Sequence, residues 1–205
     1  MIGKNKREIR RERRRKAEGI PPAYYREASR RIGEKVLALP AWKQAGTVML
    51  YVSMATEPDT RELIAAAVRA GKRVLLPRCT AGRQMEAVPF SGWDQMTDNA
   101  YGIPEPTGEA TAEKPEVILV PCVAATPAGS RLGHGAGYYD RFLRNQPGHT
   151  VCLCFDEFLT EELPEEKWDI FMETVITEKE IYQRSSEKEN RRTRKDGESR
   201  SDGLK

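Results

Sequence analysis

Apolar residues recur along the chain in two rhythms, and together they indicate a mixed fold. Between Tyr25 and Leu39 they return at steps of three and four, which is the spacing of one face of an α-helix. Thr47 to Ser53 is instead almost continuously apolar and β-rich, as expected of a strand that is covered on both faces. Over the whole chain the pattern predicts helices at 4–16, 22–39, 59–71 and 137–145, and strands at 47–53, 73–76, 84–88, 116–121, 150–155 and 174–177.

The alternation of these elements predicts the fold class. Asp59 and Glu62 have the spacing of a capping pair at the start of a helix. Pro77 is expected to end the strand predicted at 73–76. Strands that alternate with helices predict an α/β fold with a doubly wound, mostly parallel open sheet and helices on both faces. We expect a single domain over residues 1–182, including the basic helix at 4–16. The charged tail at 183–205 is expected to be disordered, because apolar residues almost vanish there.

Charge is distributed unevenly, and this narrows the class of partner. Residues 1–16 carry nine Lys/Arg against two Glu, whereas residues 17–184 carry 18 basic and 24 acidic residues, a net charge of −6. An acidic body argues against a protein that binds nucleic acid over its whole surface. The basic N-terminus has two interpretations: it meets an RNA or a partner protein, or it supplies one or two cations to a nucleotide while its other charges are solvated.

Composition also predicts where the protein works. No apolar run approaches the roughly 18 residues of a membrane span, and the start of the chain lacks the apolar region of a signal peptide. We therefore expect a cytoplasmic protein, a monomer or a homodimer, with small-molecule ligands and no membrane partner. Its cysteines lack a zinc-type spacing and are expected to be reduced, buried apolar residues; they are Cys79, Cys122, Cys152 and Cys154.

The most distinctive stretch runs from Arg131 to Arg141, with glycines at 133, 135 and 137. Glycines let a backbone approach a ligand where a Cβ would obstruct it, and backbone N–H groups before a helix favour an anion. The spacing matches neither a Walker loop nor the dinucleotide fingerprint, and a plain turn is the alternative. Because this stretch and three other polar segments each follow a predicted strand, where open α/β sheets bind ligands, a phosphate site is favoured.

The side chains of this stretch each have a functional and a structural interpretation. Arg131 pairs with phosphate or is simply solvated. Asp140 falls in the first turn of the predicted helix, where a carboxylate either compensates the helix dipole or holds Mg²⁺ beside bound polyphosphate. His134 contacts phosphate or is an ordinary loop residue.

Taken in order, several segments resemble the 5-formyltetrahydrofolate cyclo-ligase family, whose members are also called methenyltetrahydrofolate synthetases. They span roughly residues 4 to 177. They are Lys6-Arg7-Glu8-Ile9-Arg10, Tyr51-Val52-Ser53-Met54 with Glu57, Leu76-Pro77-Arg78, Tyr101-Gly102-Ile103-Pro104-Glu105-Pro106, Arg131 to Arg141, and Leu163-Pro164 with Asp169. The resemblance implies ATP- and Mg²⁺-dependent cyclisation of 5-formyltetrahydrofolate to 5,10-methenyltetrahydrofolate, with release of ADP and phosphate, after phosphorylation of the formyl oxygen.

The resemblance also implies a role for individual residues. ATP would be bound by Lys6, Arg10, Arg131, Leu132, Gly133, His134, Gly135, Ala136, Gly137, Tyr138 and Tyr139, and Mg²⁺ by Asp140 and Asp169. The folate would contact Val52, Glu57, Met85, Tyr101 and Tyr138, with core packing as the alternative for Met85 and Tyr101. Glu57 would accept hydrogen bonds from pterin N–H groups. Tyr138, between folate and ATP, and the cation Arg131 would act in the reaction itself.

Three positions depart from the family pattern. Ala136 stands where some relatives have lysine and many have glycine, Phe158 where glutamine is usual, and Trp168 where histidine is common. These departures concern fine substrate contacts and leave the implied nucleotide site largely intact. The alternative function is a non-catalytic nucleotide-binding relative that acts as a regulatory or RNA- or partner-binding protein.

Overall fold

The computed structural model describes residues 4–184, which form five α-helices and a seven-stranded sheet with two small ribbons. The helices are α1 (Lys6–Glu18), α2 (Pro22–Ala38), α3 (Pro40–Gln44), α4 (Arg61–Arg69) and α5 (Tyr138–Leu143). The strands are β1 (Thr47–Met49), β2 (Arg73–Thr80), β3 (Gln84–Pro89), β4 (Met96–Asp98), β5 (Pro104–Pro106), β6 (Val117–Pro121), β7 (Ala124–Ala125), β8 (Arg131–Leu132), β9 (His149–Leu153), β10 (Thr174–Ile176) and β11 (Ile181–Gln183). Short 3-10 helices cover Ala81–Arg83, Trp93–Gln95 and Asp156–Phe158.

The main sheet is mostly parallel, and its strand order reverses at the centre. The order is β11-β10-β9-β6-β1-β2-β3. Strands β10, β9, β6, β1 and β2 run parallel, whereas the edge strands β11 and β3 pair antiparallel. The chain leaves β1 towards β2 on one side and returns to β6 on the other, as in a doubly wound sheet. The predicted α/β class is confirmed, and the reversal creates a crevice at the carboxyl ends of β1 and β6.

The sheet centre and one face of α2 form the core. All five residues of Val117–Pro121 are buried, as expected for a parallel strand that is covered on both faces. The predicted apolar face of α2 is present, with Ile32 and Val36 at 1% and 0% exposure. The helix packs against α4 and β10, so that it anchors the sheet beneath the crevice.

Two strands end four residues away from the predicted position. β1 ends at Met49, four residues early, because its pairing with β2 and β6 stops there. β2 instead continues through Pro77 to Thr80, opposite β3. Leu75 O points towards β1, because it accepts from Leu50 N at 3.0 Å. Pro77 lies two residues further along β2, so its ring nitrogen points to the same side, where β1 has already ended. A missing N–H costs nothing at that position.

The starts of two helices also differ from the prediction. α1 begins at Lys6 because Asn5 and Glu8 form a capping box. The predicted capping pair of Asp59 and Glu62 is wrong: Thr60 precedes α4, and its hydroxyl donates to Tyr51 O. Strand β11 extends the ordered fold through Gln183. The rest of the predicted tail, 185–205, lies outside the described residues, so its disorder stays a prediction.

Candidate active site

A cavity of about 800 Å³ lies where the reversal of strand order predicts a crevice. Its walls come from the segment after β1, the carboxyl half of β2, the loop from β8 into α5, α1 and the 166–169 segment. Every residue that was predicted to be functional lines this one cavity. They are Lys6, Arg10, Val52, Glu57, Met85, Tyr101, Arg131, Leu132, Gly133, His134, Gly135, Ala136, Gly137, Tyr138, Tyr139, Asp140 and Asp169. The sequence segments that resemble the family therefore converge in space.

The glycine-rich loop, residues 133–137, is held against guanidinium groups. Arg10 Nε donates to Gly133 O at 2.8 Å, and Arg141 Nη2 donates to Ala136 O at 2.6 Å. Gly135 and Gly137 have φ values of +109° and +71°. A Cβ at Gly135 would lie 3.3 Å from Arg10 Cζ, and one at Gly137 would lie 3.0 Å from Arg141 Nη1. The glycines thus permit both the backbone conformation and the close approach of positive charge.

The cavity has a positive balance of charge. Among residues 4–184 its lining includes seven Lys/Arg side chains and five Asp/Glu side chains, a formal excess of two positive charges. The cations are Lys6, Arg10, Arg14, Arg83, Arg131, Arg141 and Arg144, and the acids are Glu57, Glu105, Asp140, Glu166 and Asp169. Walls of low dielectric strengthen such a field, so the cavity favours an anionic ligand.

Lys6 joins α1 to the far end of the chain. Its Nζ lies 2.7 Å from Asp169 Oδ2 and 2.7 Å from Glu166 Oε2. Partial burial alone would lower the pKa of Lys6, but the hydrogen bonds to Asp169 and Glu166 outweigh it and leave that pKa raised. Lys6 is therefore a fixed cation on the cavity wall, and its positive charge offsets the negative charge of Asp169.

Arg131 and Asp140 form a second ion pair, deeper in the cavity wall. Arg131 Nη2 lies 2.9 Å from Asp140 Oδ1, and Nη1 donates to Pro121 O at 3.2 Å. The Arg131 side chain is only 3% exposed. Within the described part of the chain, its Nε has no hydrogen-bond partner. A buried guanidinium with an unused N–H is a donor that a ligand oxygen can satisfy.

The opposite wall carries one buried carboxylate among apolar groups. Glu57 is 5% exposed, and its Oε2 accepts from Met54 N at 2.8 Å. Val52 and Met85 are buried and belong to the core while they also line the cavity. Tyr101 is 79% exposed, which excludes core packing for that residue and places it on the rim.

His134 and Tyr139 link the loop to this wall. His134 Nε2 lies 3.0 Å from Glu57 Oε1 rather than against another loop group. The Tyr139 hydroxyl is buried and, among the described residues, has no partner. Burial, with a smaller contribution from the Glu57 carboxylate, raises the pKa of Tyr139. The phenol therefore keeps its proton and remains a donor.

Several side chains of the cavity wall had no predicted role. Glu105 is buried, and its Oε1 accepts from Cys79 N at 3.1 Å and from Asn99 Nδ2 at 2.9 Å. Burial, reinforced by Glu105, raises the pKa of the Cys79 thiol to about 12. Glu105 had a signal in the sequence, as a lone acid between two prolines, whereas Glu166 had none because it lies within an ordinary run of acidic residues.

The three departures fall at different depths. Ala136 adds no cation, but Arg141 brings one to its carbonyl. Phe158 is buried with its ring 6.2 Å from that of Phe155, so it belongs to the core. Trp168 lines the cavity at 48% exposure, and its Nε1 donates to Glu166 Oε2 at 3.1 Å. Of the three, Trp168 changes the character of the wall most.

The two predicted metal ligands each face a cation. Asp140 is paired with Arg131 and Asp169 with Lys6. Among the described residues, no group of three or more His, Cys, Asp or Glu side chains is arranged to hold a metal ion. Two carboxylates still suit Mg²⁺, which commonly binds one or two carboxylates together with substrate phosphates and water.

Comparison with known proteins assigns the family. Residues 2–178 match the model of the 5-formyltetrahydrofolate cyclo-ligase family. The chain belongs to this family. The cyclo-ligase of Escherichia coli K12 is 32% identical over 180 residues, which cover 83% of this chain and 98% of that protein. A probable cyclo-ligase of Schizosaccharomyces pombe is also 32% identical, over 73% of this chain and 83% of its own length.

A solved structure of the cyclo-ligase family supports the same assignment. The NMR structure of Aquifex aeolicus 5,10-methenyltetrahydrofolate synthetase shares 30% identity, with a TM-score of 0.79 over 88% of this chain and 93% of that one. Membership of the cyclo-ligase family confirms the predicted enzyme class and the link to folate metabolism. Within residues 4–184, every helix is too short or too polar to cross a membrane.

Proposed function

We propose that this protein catalyses the ATP- and Mg²⁺-dependent cyclisation of 5-formyltetrahydrofolate to 5,10-methenyltetrahydrofolate, releasing ADP and phosphate. One observation carries the proposal: a single cavity combines a cation-lined glycine loop with a buried carboxylate on an apolar wall. The loop suits a polyphosphate, and the carboxylate suits a heterocycle that presents N–H donors. A cyclo-ligase must hold both ligands side by side, because phosphoryl transfer depends mainly on positioning.

The nucleotide end fits a polyphosphate in three respects. The loop glycines leave room beside Arg10 and Arg141 that a Cβ would take. Arg131 offers a buried N–H without a partner among residues 4–184. Lys6, Arg10 and Arg131 provide fixed positive charge. ATP, when bound, supplies the phosphoryl group that makes the formyl oxygen a good leaving group.

Asp140 and Asp169 are the residues proposed to hold Mg²⁺. Both carboxylates line the cavity, and each is paired with a cation. Mg²⁺ prefers oxygen ligands and is usually completed by phosphate and water. The same cations that neutralise these carboxylates can instead pair with phosphate oxygens, so that charge stays balanced when both ligands are present.

At the other end we propose that Glu57 accepts hydrogen bonds from the pterin. Its two oxygens have further acceptor capacity beyond Met54 N and His134. Val52 and Met85 provide the apolar wall, Tyr101 the rim, and Tyr138 the junction with the nucleotide. Tyr138 begins α5, and the Arg141 guanidinium lies 5.9 Å from its ring. Arg131 and Tyr138 are thus the residues proposed to touch the reacting groups.

The test is a direct assay. Purified protein is mixed with Mg²⁺-ATP and 5-formyltetrahydrofolate, and the methenyl chromophore is followed by absorbance, with ATP or Mg²⁺ omitted in turn. We expect turnover only in the complete mixture. Nucleotide binding without any chromophore would overturn the proposal and favour the non-catalytic alternative. The proposed reaction belongs to one-carbon metabolism, and we propose that it takes place in the cytoplasm.

A further inference from the structure

A single side-chain contact joins the two ends of the cavity. His134 Nε2 lies 3.0 Å from Glu57 Oε1, between residues 77 positions apart. The tautomer of the imidazole decides whether Nε2 donates or accepts in this contact. The imidazole is half exposed, whereas the Glu57 side chain is 4% exposed. The contact therefore connects the glycine-rich loop to a buried carboxylate.

His134 is the only residue of the loop that can make such a connection. The loop is Gly133-His134-Gly135-Ala136-Gly137, and three glycines and an alanine offer no polar side chain. The other contacts of the loop use its carbonyl oxygens, which accept from Arg10 and Arg141. Glycine backbones lose the most conformational freedom when they are ordered. A side-chain tether at the centre of the loop reduces that cost before a ligand arrives.

Glu57 is well suited to hold the tether. Its Oε2 accepts from Met54 N at 2.8 Å, and its Oε1 lies 3.0 Å from His134 Nε2. Each carboxylate oxygen accepts about two hydrogen bonds, so a ligand can add donors to Glu57 without displacing His134. A ligand that fixes Glu57 more firmly thereby fixes His134 and the loop.

We propose that His134 is a positioning residue that couples the folate end of the cavity to the nucleotide end. Through Glu57 it orders the glycine loop, so that a bound folate tightens nucleotide binding. Coupling between sites is reciprocal, and the nucleotide therefore tightens folate binding by the same factor. This inference rests on the proposed function for the identity of the two ligands. Because the pair is partly exposed, the expected coupling is about fivefold, at the low end of typical values.

The experiment measures nucleotide affinity with and without the folate. Isothermal titration of Mg²⁺ and a non-hydrolysable ATP analogue is performed on wild-type protein alone and saturated with 5-formyltetrahydrofolate. We expect the folate to tighten binding about fivefold in the wild type. In His134→Ala the coupling should fall to unity. His134→Gln, whose amide N–H can still donate to Glu57, should restore most of it. His149→Ala is the matched control, because the other histidine pairs with Thr174 outside the cavity and should leave the coupling unchanged.

A double-mutant cycle separates this role from direct contact with phosphate. Without folate, Glu57→Ala should weaken nucleotide binding, and His134→Ala should add little to it. Fully additive losses would show that His134 acts on the phosphates directly and would overturn the inference. Unchanged coupling in His134→Ala would overturn it as well, even if Glu57→Ala fails to fold. A wild-type protein that binds no nucleotide would instead overturn the proposed function, and this inference with it.

Discussion

The two ends of the cavity differ in how their charges are arranged. At the nucleotide end the cations already have partners: Lys6 pairs with Asp169, Arg131 with Asp140, and Arg10 with a loop carbonyl. At the folate end one buried carboxylate is fixed by a backbone N–H and a histidine among apolar residues. A ligand must exchange ion pairs at the first end, whereas it only adds hydrogen bonds at the second.

This difference in charge arrangement affects how each end of the cavity binds its ligand. Ion pairs among the site's own residues offset part of the positive charge of the cavity and hold each side chain in place. In the proposed complex, a nucleotide with its metal would replace carboxylate by phosphate around Lys6 and Arg131, so binding would exchange partners at these two cations. At the folate end, a ligand would instead be selected by geometry, because its donors must meet the lone pairs of Glu57 that Met54 N and His134 leave free.

The largest effect is expected at Asp140. Asp140→Asn should lower turnover about 10²–10³-fold, because it removes a proposed metal ligand next to the transferred phosphoryl group. Asp140→Ala should lose as much activity. Both variants leave the buried Arg131 without a charged partner, so both should also lose stability: Asp140→Ala about 3 kcal/mol and Asp140→Asn less, because its amide oxygen can still accept from Arg131. Turnover and urea unfolding of both variants separate the two effects. Near wild-type turnover in Asp140→Asn would reject Asp140 as an essential metal ligand.

The next effect is expected at Glu57. Glu57→Gln should raise the KM for the folate by about ten- to a hundredfold, because a hydrogen bond to a charged acceptor contributes about 1.5–3 kcal/mol. The KM for ATP should change by no more than the coupling through His134. Glu86→Gln, which alters an acid paired with Arg78 outside the cavity, serves as the control. Equal changes in both KM values would show that the two ends do not differ as described.

A smaller effect is expected at Gly137, for which the chain offers a close match. Gly137 and Gly71 have φ values of +71° and +72°, so alanine at either position should cost about 1–2 kcal/mol of stability. Only at Gly137 would the new Cβ meet a cavity cation, Arg141 Nη1, at 3.0 Å; at Gly71 nothing lies within 4 Å. We expect a severalfold higher KM for ATP in Gly137→Ala alone. Equal KM values for ATP in the two variants would show that the loop does not contact the nucleotide.

The smallest effect concerns Cys79, at the folate end. Its pKa is raised to about 12 by burial and by Glu105, and the thiolate is the reactive form. Alkylation of the native protein should therefore be slow at pH 8 and should still be rising with pH beyond 9. Glu105→Gln should speed it, because one of the two causes is removed. The rate is measured by mass spectrometry of the labelled protein. Reaction at the rate of a free thiol at pH 8 would contradict the raised pKa of Cys79.

Local sequence was sufficient for the elements that depend on neighbouring residues. The helix face of α2 followed from periodicity and strand β6 from its apolar run, and the glycines at 133, 135 and 137 indicated a backbone site. Ion pairs between distant residues left no such trace, because Lys6 and Asp169 become neighbours only in the folded chain. The course of β2 through Pro77 was also hidden, since it depends on β1 ending beside it. The pattern placed the segment that ends at Glu57 and the loop at the same edge of the sheet, because each follows a predicted strand, and the resemblance added the role of Glu57.

The tie between Lys6 and Asp169 has a consequence for how the protein is made. The two residues lie 163 positions apart, and a ribosome that adds about 5–20 residues per second needs roughly 10–30 s to travel between them. During that interval Lys6 has neither of its acidic partners, while β1, β2 and β6 can already assemble. The cavity wall is therefore completed only after Asp169 has been added, and a chain released before residue 166 would have no finished site.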